Sequence, residues 1–375
     1  MNDKKYDFIW VDDEHEDLQS TKTRAKLSGI TLHAFKSVNA GIGELEKNAH
    51  LYDGVLLDAR MFEDEDDSKG TEDDSNVHRA KERILQIPKK FEIFILTGQT
   101  DLQGDSSFGK AFRNIYKKGE DTDVLFEAMK AAADKQPDTQ IRHHYSRVFA
   151  LCTSEFLGEE NAPRLLDLIT QSKGDTTIHI EDGFVGMRKT LEVLFQRLNT
   201  LGLIPDELFE NHGWFNPCSD FLTGKESAYK VNDGLIHPVV QLLLRQLKEV
   251  TQDAEHSLPQ RLRLKVDEFI GVNKTSYLFE SSLLQLFDVL LWFKDFTERN
   301  KGEIIYTSSM REIDFTGIVQ RDAKGIYHCD TYIINYSEVK YKKIALGDSI
   351  RITHVVKNRK ENSMYDERVL KYRKI

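Results

Sequence analysis

Cysteine is scarce: Cys152, Cys218 and Cys329 are the three in 375 residues, odd in number and far apart. That spacing gives neither a disulfide framework nor a Cys-x-x-Cys metal knuckle. A basic excess is also missing, since 52 Lys and Arg stand against 62 Asp and Glu for a formal net charge of −10. The balance argues against a protein whose main business is coating duplex nucleic acid, and leaves a local basic face open. Long apolar runs are absent too. Tyr6–Val11 is too short for a signal sequence, and the most apolar later segment, Ser282–Phe293, is cut by Gln285 and Asp288. It falls well short of the ~20 clean residues a membrane span needs. There is no repeat at solenoid spacing. A soluble, cytoplasmic protein with no membrane partner is expected.

The composition does supply cores, with 39% hydrophobic residues, so a disordered chain is excluded as the overall class. At roughly 150 residues per domain the length allows two or three domains. Over the first 135 residues, short apolar runs at Tyr6–Val11, Ile30–Phe35, Val55–Leu57, Ile93–Leu96 and Asn114–Tyr116 alternate with helical patterns near Leu18–Leu27, Ile42–Asn48, Val77–Gln86 and Val124–Ala133. This alternation predicts β-α-β crossovers and a parallel sheet. Ligand sites of such sheets lie beyond the carboxyl ends of the strands.

The residues at the strand exits therefore carry the most information. The first strand ends in Asp12-Asp13-Glu14, the third in Asp58, the fourth in Thr97 and the fifth in Lys117-Lys118. Clustered carboxylates repel one another and call for a hard divalent cation with oxygen ligands, most naturally Mg²⁺. A hydroxyl and an ammonium are the donors that suit a phosphoryl group's oxygens. A carboxylate held between metal and ammonium is a nucleophile for in-line phosphoryl transfer.

The segments Phe8-Ile-Trp-Val-Asp-Asp-Glu14, Gly54-Val-Leu-Leu-Asp-Ala-Arg-Met61, Ile93-Phe-Ile-Leu-Thr-Gly98 and Tyr116-Lys-Lys-Gly119 together resemble the receiver domain of two-component response regulators. The resemblance implies that Asp58 is the phosphoacceptor and that Asp12, Asp13, Asp58 and the backbone carbonyl of Arg60 hold Mg²⁺. It makes Thr97 the hydroxyl that rearranges on phosphorylation. It favours Lys118 over Lys117 as the active-site lysine, because Leu125 then follows at the family's spacing. The chain departs from the family at Phe62, where a proline usually follows Met61, and at Gly119, again in place of proline. The aromatic switch position falls on Ile115, with Tyr116 beside it. The run Glu63–Asp74 carries eight acids against Lys69 and reads as an insertion beside the pocket: a solvated loop, a screen that repels phosphodonors, or a site for extra Mg²⁺.

After Gln136-Pro137-Asp138 the texture becomes helical, with apolar spacing predicting helices over Ile141–Leu157, Ala162–Gln171, Asp182–Leu201, Pro238–Thr251 and Ser276–Glu298. Val185, Met187, Leu191, Val193, Leu194 and Leu198 form the expected core stripe of the third. Ile180–Glu192 with Leu194–Leu198, Asn232–His237 and Leu283–Phe293 is similar to HEPN-type bundles. HEPN ribonucleases pair an Arg with a His a few residues on, but Asn232 stands where the arginine before His237 would be. His237 is read as a buried, hydrogen-bonded or helix-start histidine, and Arg321 and His328, which match the spacing, lie in a β region. His143-His144 lacks metal-ligand company, and Trp214-Phe215 reads as a packed loop.

From Ile313 onward short strands are predicted at Gly317–Gln320, Thr331–Ile334, Ser349–Val356 and Arg368–Tyr372. Gly317–Arg321, Lys324–Tyr327 and Leu346–Ile350 resemble a cold-shock or other OB-like barrel, a fold that stacks single-stranded bases on sheet aromatics. Eleven basic residues, among them Lys340, Arg351, Arg368 and Lys371, lie between Lys340 and Lys374. They suit single-stranded RNA or DNA or an acidic protein partner.

The expected architecture is a multidomain α/β, all-α and β chain. A flavodoxin-like (βα)5 receiver spans 1–135, an α-helical HEPN-like bundle 136–311, and a small OB-like β-barrel 312–375. The expected function is a response regulator of a two-component phosphorelay, a signalling protein more than an enzyme, with a non-standard output. Its implied partner is a sensor histidine kinase or phosphotransfer protein, and a homodimer is compatible. The rival expectations are an RNA-binding or RNA-processing HEPN/OB-type protein with a regulatory receiver, and a scaffold whose receiver is no longer phosphorylated.

Overall fold

The computed structural model describes residues 4–67, 73, 75–98, 106–174, 180–210, 213–225, 228–255, 264–340, 343–358 and 364–375. The chain forms two compact units, Met1–Phe149 and Ala150–Ile375.

The first unit runs β1 (Tyr6–Val11), α1 (Gln19–Leu27), β2 (Ile30–Phe35), α2 (Val38–Asn48), β3 (Gly54–Leu57), α3 (Ser75–Gln86), β4 (Ile93–Thr97), α4 (Ser106–Ala111), β5 (Asn114–Lys117), α5 (Thr122–Ala133), α6 (Pro137–His144) and α7 (Ser146–Phe149). Its five strands are parallel in the order β2-β1-β3-β4-β5, the flavodoxin-like arrangement. Successive side chains on a strand face opposite sides, and both sides are covered. Ile9, Val11, Val55, Leu57 and Ile95 join the core under α2 and α3. Phe8, Trp10, Leu56, Phe94 and Leu96 join the core with Leu125, Phe126 and Met129 of α5. Phe8 pairs with Gly54 across β1 and β3. A Cβ on Gly54 would lie 2.3 Å from the Phe8 ring, so the close approach of these central strands requires glycine.

The first unit extends past the boundary expected at residue 135, and Asp53 is the reason. This carboxylate is 2% exposed and accepts from the Asp7 backbone N–H at 2.8 Å, the Thr139 hydroxyl and the Arg142 guanidinium. Arg142 also donates to the carbonyls of His50 and Leu51 at 2.8 and 2.9 Å. Gln136 donates to the Asp53 carbonyl at 2.7 Å. A buried charge needs its partners, and these bind α6 to the amino end of β3. The helix expected over Ile141–Leu157 is broken accordingly. It stops at His144, resumes for one turn in α7, and gives way to turns closed by Leu157 N–H to Leu151 O (3.1 Å) and Gly158 N–H to Thr153 O (2.8 Å). Cys152-Thr153-Ser154 favour such local bonding over helix.

The second unit contains α8 (Ala162–Lys173), α9 (Ile180–Thr200), α10 (Phe215–Leu222), β6 (Tyr229–Val231), α11 (Pro238–Glu255), α12 (Val266–Asn273) and α13 (Tyr277–Arg299). Helices α8, α9, α11 and α13 pack against one another. On α9 the buried apolar side chains are Phe184, Met187, Leu191, Leu194, Phe195 and Leu198, while Val185 and Val193 are half-buried at the flanks of the stripe. Phe184 meets Phe279 edge-on at 5.5 Å. Strand β6 pairs with β7 (Tyr306–Ser308) as a two-stranded ribbon.

The remaining elements are β8 (Arg311–Ile318), β9 (Gln320–Arg321), β10 (Tyr327–Cys329), β11 (Tyr332–Ile333), α14 (Tyr336–Lys340), β12 (Ser349–Lys357) and β13 (Glu367–Lys374). They form a six-stranded sheet in the order β8-β12-β13-β11-β10-β9, with β11 and β13 parallel and the other pairs antiparallel. The first and last strands, β8 and β9, are separated in sequence by Val319 alone, so the sheet curls until its two ends meet in one run of chain. Val319, Cys329, Ile350, Ile352 and Val355 fill its interior. At Gly317 a Cβ would lie 2.7 Å from the Cys329 sulfur, which explains glycine on the inside of the curl.

Candidate functional site

Each β-strand of the first unit delivers its exit residue to one end of the sheet. The Asp12 backbone N–H donates to Phe35 O at 3.0 Å and the Asp58 N–H to Val11 O at 2.8 Å, while Lys118 N–H donates to Thr97 O at 2.9 Å. Asp12, Thr97 and Asp58 are 0%, 1% and 8% exposed. The carboxylate oxygens of Asp12, Asp13 and Asp58 lie within 4.8 Å of one another.

One ammonium sits among them. Lys118 Nζ is 2.6 Å from Asp58 Oδ2 and 2.9 Å from Asp12 Oδ2. Lys117 faces elsewhere, pairing with Glu120 at 2.6 Å, while its backbone N–H donates to Asp121. The other Asp58 oxygen accepts from the Ala59 N–H at 2.6 Å, and Asp12 Oδ1 accepts from the Glu14 N–H at 2.9 Å. Burial and then the neighbouring Asp12 charge push the Asp58 carboxyl up to about 6, against the pull of Lys118 and the Ala59 N–H. Burial pulls the Lys118 ammonium down, but the charges of Asp58 and Asp12 outweigh it and hold the group above its ordinary value. An all-oxygen, partly buried acidic set of this kind fits a hard divalent cation.

Arg60 is exposed beside the site. No motif or spacing pointed to Asn76, buried on α3, whose amide donates to Met61 O at 2.9 Å and fixes the loop leaving Asp58. On β5, Ile115 packs toward the α3 side and Tyr116 toward the α5 side, where its ring meets Phe94 at 6.3 Å. Much of the acidic loop is paired. Glu63 bonds Arg79 at 2.8 Å, Asp64 accepts from Asn39 at 2.7 Å, and Asp67 accepts from the N–H groups of Glu63 and Asp64. Glu72 and Asp74 lie outside the described residues.

Other candidates are kept apart from this cluster. His237 is exposed and accepts from the Val239 N–H at 3.2 Å, capping the start of α11. His143 bonds Lys5 O at 2.8 Å and meets Tyr6 edge-on. In the curled sheet several basic side chains are already neutralised: Arg351 pairs with Asp314 at 2.6 Å, Lys374 with Asp348 at 2.6 Å, and Lys343 with Glu338 at 3.4 Å. Lys342, Arg359 and Lys360 lie outside the described residues.

No family model and no curated protein matches the chain. Solved structures do. A response regulator receiver domain protein from Clostridium thermocellum aligns at 19% identity over 35% of this chain and 95% of its own, with a TM-score of 0.28. The Francisella response regulator 1452 receiver domain aligns at 15% identity over 35% of this chain and 98% of its own, also at 0.28. RcsB from Salmonella enterica serovar Typhimurium, solved bound to a promoter, aligns at 14% identity over 56% of this chain and 98% of its own, again at 0.28. Among the described residues no helix is long and apolar enough to cross a membrane.

Proposed function

We propose that the chain is a response regulator in which Asp58 accepts a phosphoryl group, with the second unit as its output. The observation that supports this best is Lys118 Nζ set between Asp58 and Asp12, with Asp13 beside them. Asp58, at about 6, is mostly ionised at neutral pH. Its oxygen attacks phosphorus in line as the bond from phosphorus to the donor atom breaks, and the donor leaves with the electron pair. The Lys118 ammonium passes from the carboxylate to a phosphoryl oxygen, and the Thr97 hydroxyl supplies a second donor. Asp12, Asp13, Asp58 and the Arg60 carbonyl would hold Mg²⁺, which when bound neutralises charge on the transferring group. The donor class is a phosphohistidine of a kinase or phosphotransfer protein.

Intact mass after treatment with acetyl phosphate and Mg²⁺ tests the reading. Gain of one phosphoryl group, absent in Asp58→Ala and absent without the metal, is expected. No gain in the parent protein overturns it and leaves the first unit as a scaffold.

A second reading concerns the curled sheet. Its order, its parallel β11–β13 pair and the helix between β11 and β12 support an OB-like barrel that binds a single strand on the β10–β11 face. Tyr327, with Arg321 stacked over its ring at 5.3 Å, is the stacking platform in that reading. The HEPN-like assignment of α8, α9, α11 and α13 rests on sequence resemblance and their mutual packing.

A further inference from the structure

A cavity of about 720 Å³ opens at the amino ends of β4 and β5, the opposite end of the first sheet from Asp58. It lies within the range of small-molecule sites. One wall is the chain entering β4, with the half-buried ring of Phe91. The other is the last turns of α5 and the start of α6. On α5 Leu125, Phe126, Met129 and Ala133 turn inward to the core, while Ala128, Ala131 and Ala132 line the cavity. Positions three and four apart share a helix face. Helix α5 therefore carries a second apolar face, built of side chains too small to close the gap to Phe91.

Five charged side chains surround this apolar lining, namely Lys89, Lys90, Glu92, Lys135 and Asp138. Three of them are already engaged. Lys89 Nζ donates to Tyr52 O at 2.8 Å and pairs with Asp138 at 3.3 Å, and Glu92 accepts from the Asn114 amide at 3.3 Å. Lys90 and Lys135 are exposed, and among the described residues their ammonium groups make no ion pair or hydrogen bond. The charge left to meet a ligand is positive and comes from both walls, Lys90 beside β4 and Lys135 at the end of α5.

We infer that this cavity binds a small organic acid, a carboxylate carried on an apolar body. The body covers Phe91 and the α5 alanines, and burial of that surface drives association. The carboxylate meets Lys90 and Lys135 at the mouth, where charge-assisted hydrogen bonds fix its direction. A cationic ligand would face two free ammonium groups and acids that already have partners. A bare inorganic anion would leave the apolar walls wet. The occupant joins the entrance of β4 to α5 and α6, so the first unit has a second input that is independent of Asp58.

Calorimetry on the full chain with sodium octanoate tests the site, with octylammonium and acetate as controls for charge and body. Octanoate is expected to bind in the millimolar range or tighter. Octylammonium is expected to bind at least about tenfold more weakly, and acetate, which lacks the methylenes, at least about a hundredfold more weakly. Lys90→Glu and Lys135→Glu each reverse one charge at the mouth and are expected to weaken octanoate by about fivefold. Lys47→Glu makes the same charge change at an exposed position of α2 outside the lining and is expected to leave affinity unchanged. Ala128→Leu grows into the cavity from a half-buried position and is expected to weaken octanoate at least about tenfold. Thermal melts report whether each variant keeps its fold, and the exposed lysine variants carry the test if Ala128→Leu does not. Absence of octanoate binding at millimolar concentration, octylammonium or acetate binding as tightly as octanoate, or affinity unchanged in the folded lining variants overturns the inference.

Discussion

Lys118 and Asp58 stand 2.6 Å apart, joining the exits of β5 and β3, and the same ammonium reaches Asp12 at the exit of β1. Three strand ends are thus held by one cation. Without it, two carboxylates would face each other with little water.

Lys118→Met is therefore expected to destabilise the metal-free protein by about 3–5 kcal/mol, the range for removing one partner of a buried pair. Urea unfolding in chelator measures it. Added Mg²⁺ is expected to recover part of the loss, because a cation again sits among the acids. A loss below about 0.5 kcal/mol would show that the pair contributes little.

Asp58 makes the metal-free fold pH-sensitive. Its carboxyl lies at about 6 against an ordinary 3.8. Between about pH 4 and 6 the folded state therefore holds a proton that the unfolded state has lost. Its contribution to stability falls as pH rises through this window. Asp58→Asn is expected to raise stability in chelator by about 1–3 kcal/mol at pH 7.5, with the gain fading toward pH 4.5. A gain constant with pH would contradict the burial cause.

Arg142 binds α6 to the carboxylate of Asp53, which is almost wholly buried. Arg142→Ala is expected to cost about 3–5 kcal/mol, since it strands that charge. Arg142→Lys is expected to recover only part, because arginine donates from two nitrogens to several acceptors at once. Truncation at residue 135 removes the same partner and is expected to give a less stable fragment than one ending at 149. Equal melting temperatures for the two fragments would refute this.

If the curled sheet binds single strands, Tyr327→Ala is expected to weaken oligouridine binding by about 1–3 kcal/mol, the usual loss of one stacking platform. Affinity should also fall with salt, though gently, because Arg351 and Lys374 already have acidic partners. Fluorescence anisotropy across a salt series measures both.

The alternating strands and the acidic cluster were legible in the sequence because each depends on short-range pattern. Short runs of three to six largely apolar residues mark the strands, and the residues after each run are delivered to a shared edge. Choosing the lysine needed a family spacing, since Lys117 and Lys118 differ by one position and face opposite ways. Asp53 was not legible: its partners Thr139 and Arg142 lie 86 and 89 residues on, and nothing local marks the pairing. The same distance effect hid the neutralisation of Arg351 by Asp314, 37 residues away, so the run of basic residues read as more cationic than it is. The break after His144 was missed because apolar spacing continues through Leu157 while the hydrogen bonding does not.

Strand β3 is four residues long and has a buried carboxylate immediately before it and another immediately after. A slip of one residue in either direction would drag a charge toward the apolar layer and lift Gly54 away from Phe8. The strand is in effect a fixed axle, bolted at both ends. Whatever motion a modification of Asp58 sets off must be taken up by the loops and helices around it, with the central strand as the frame against which they turn.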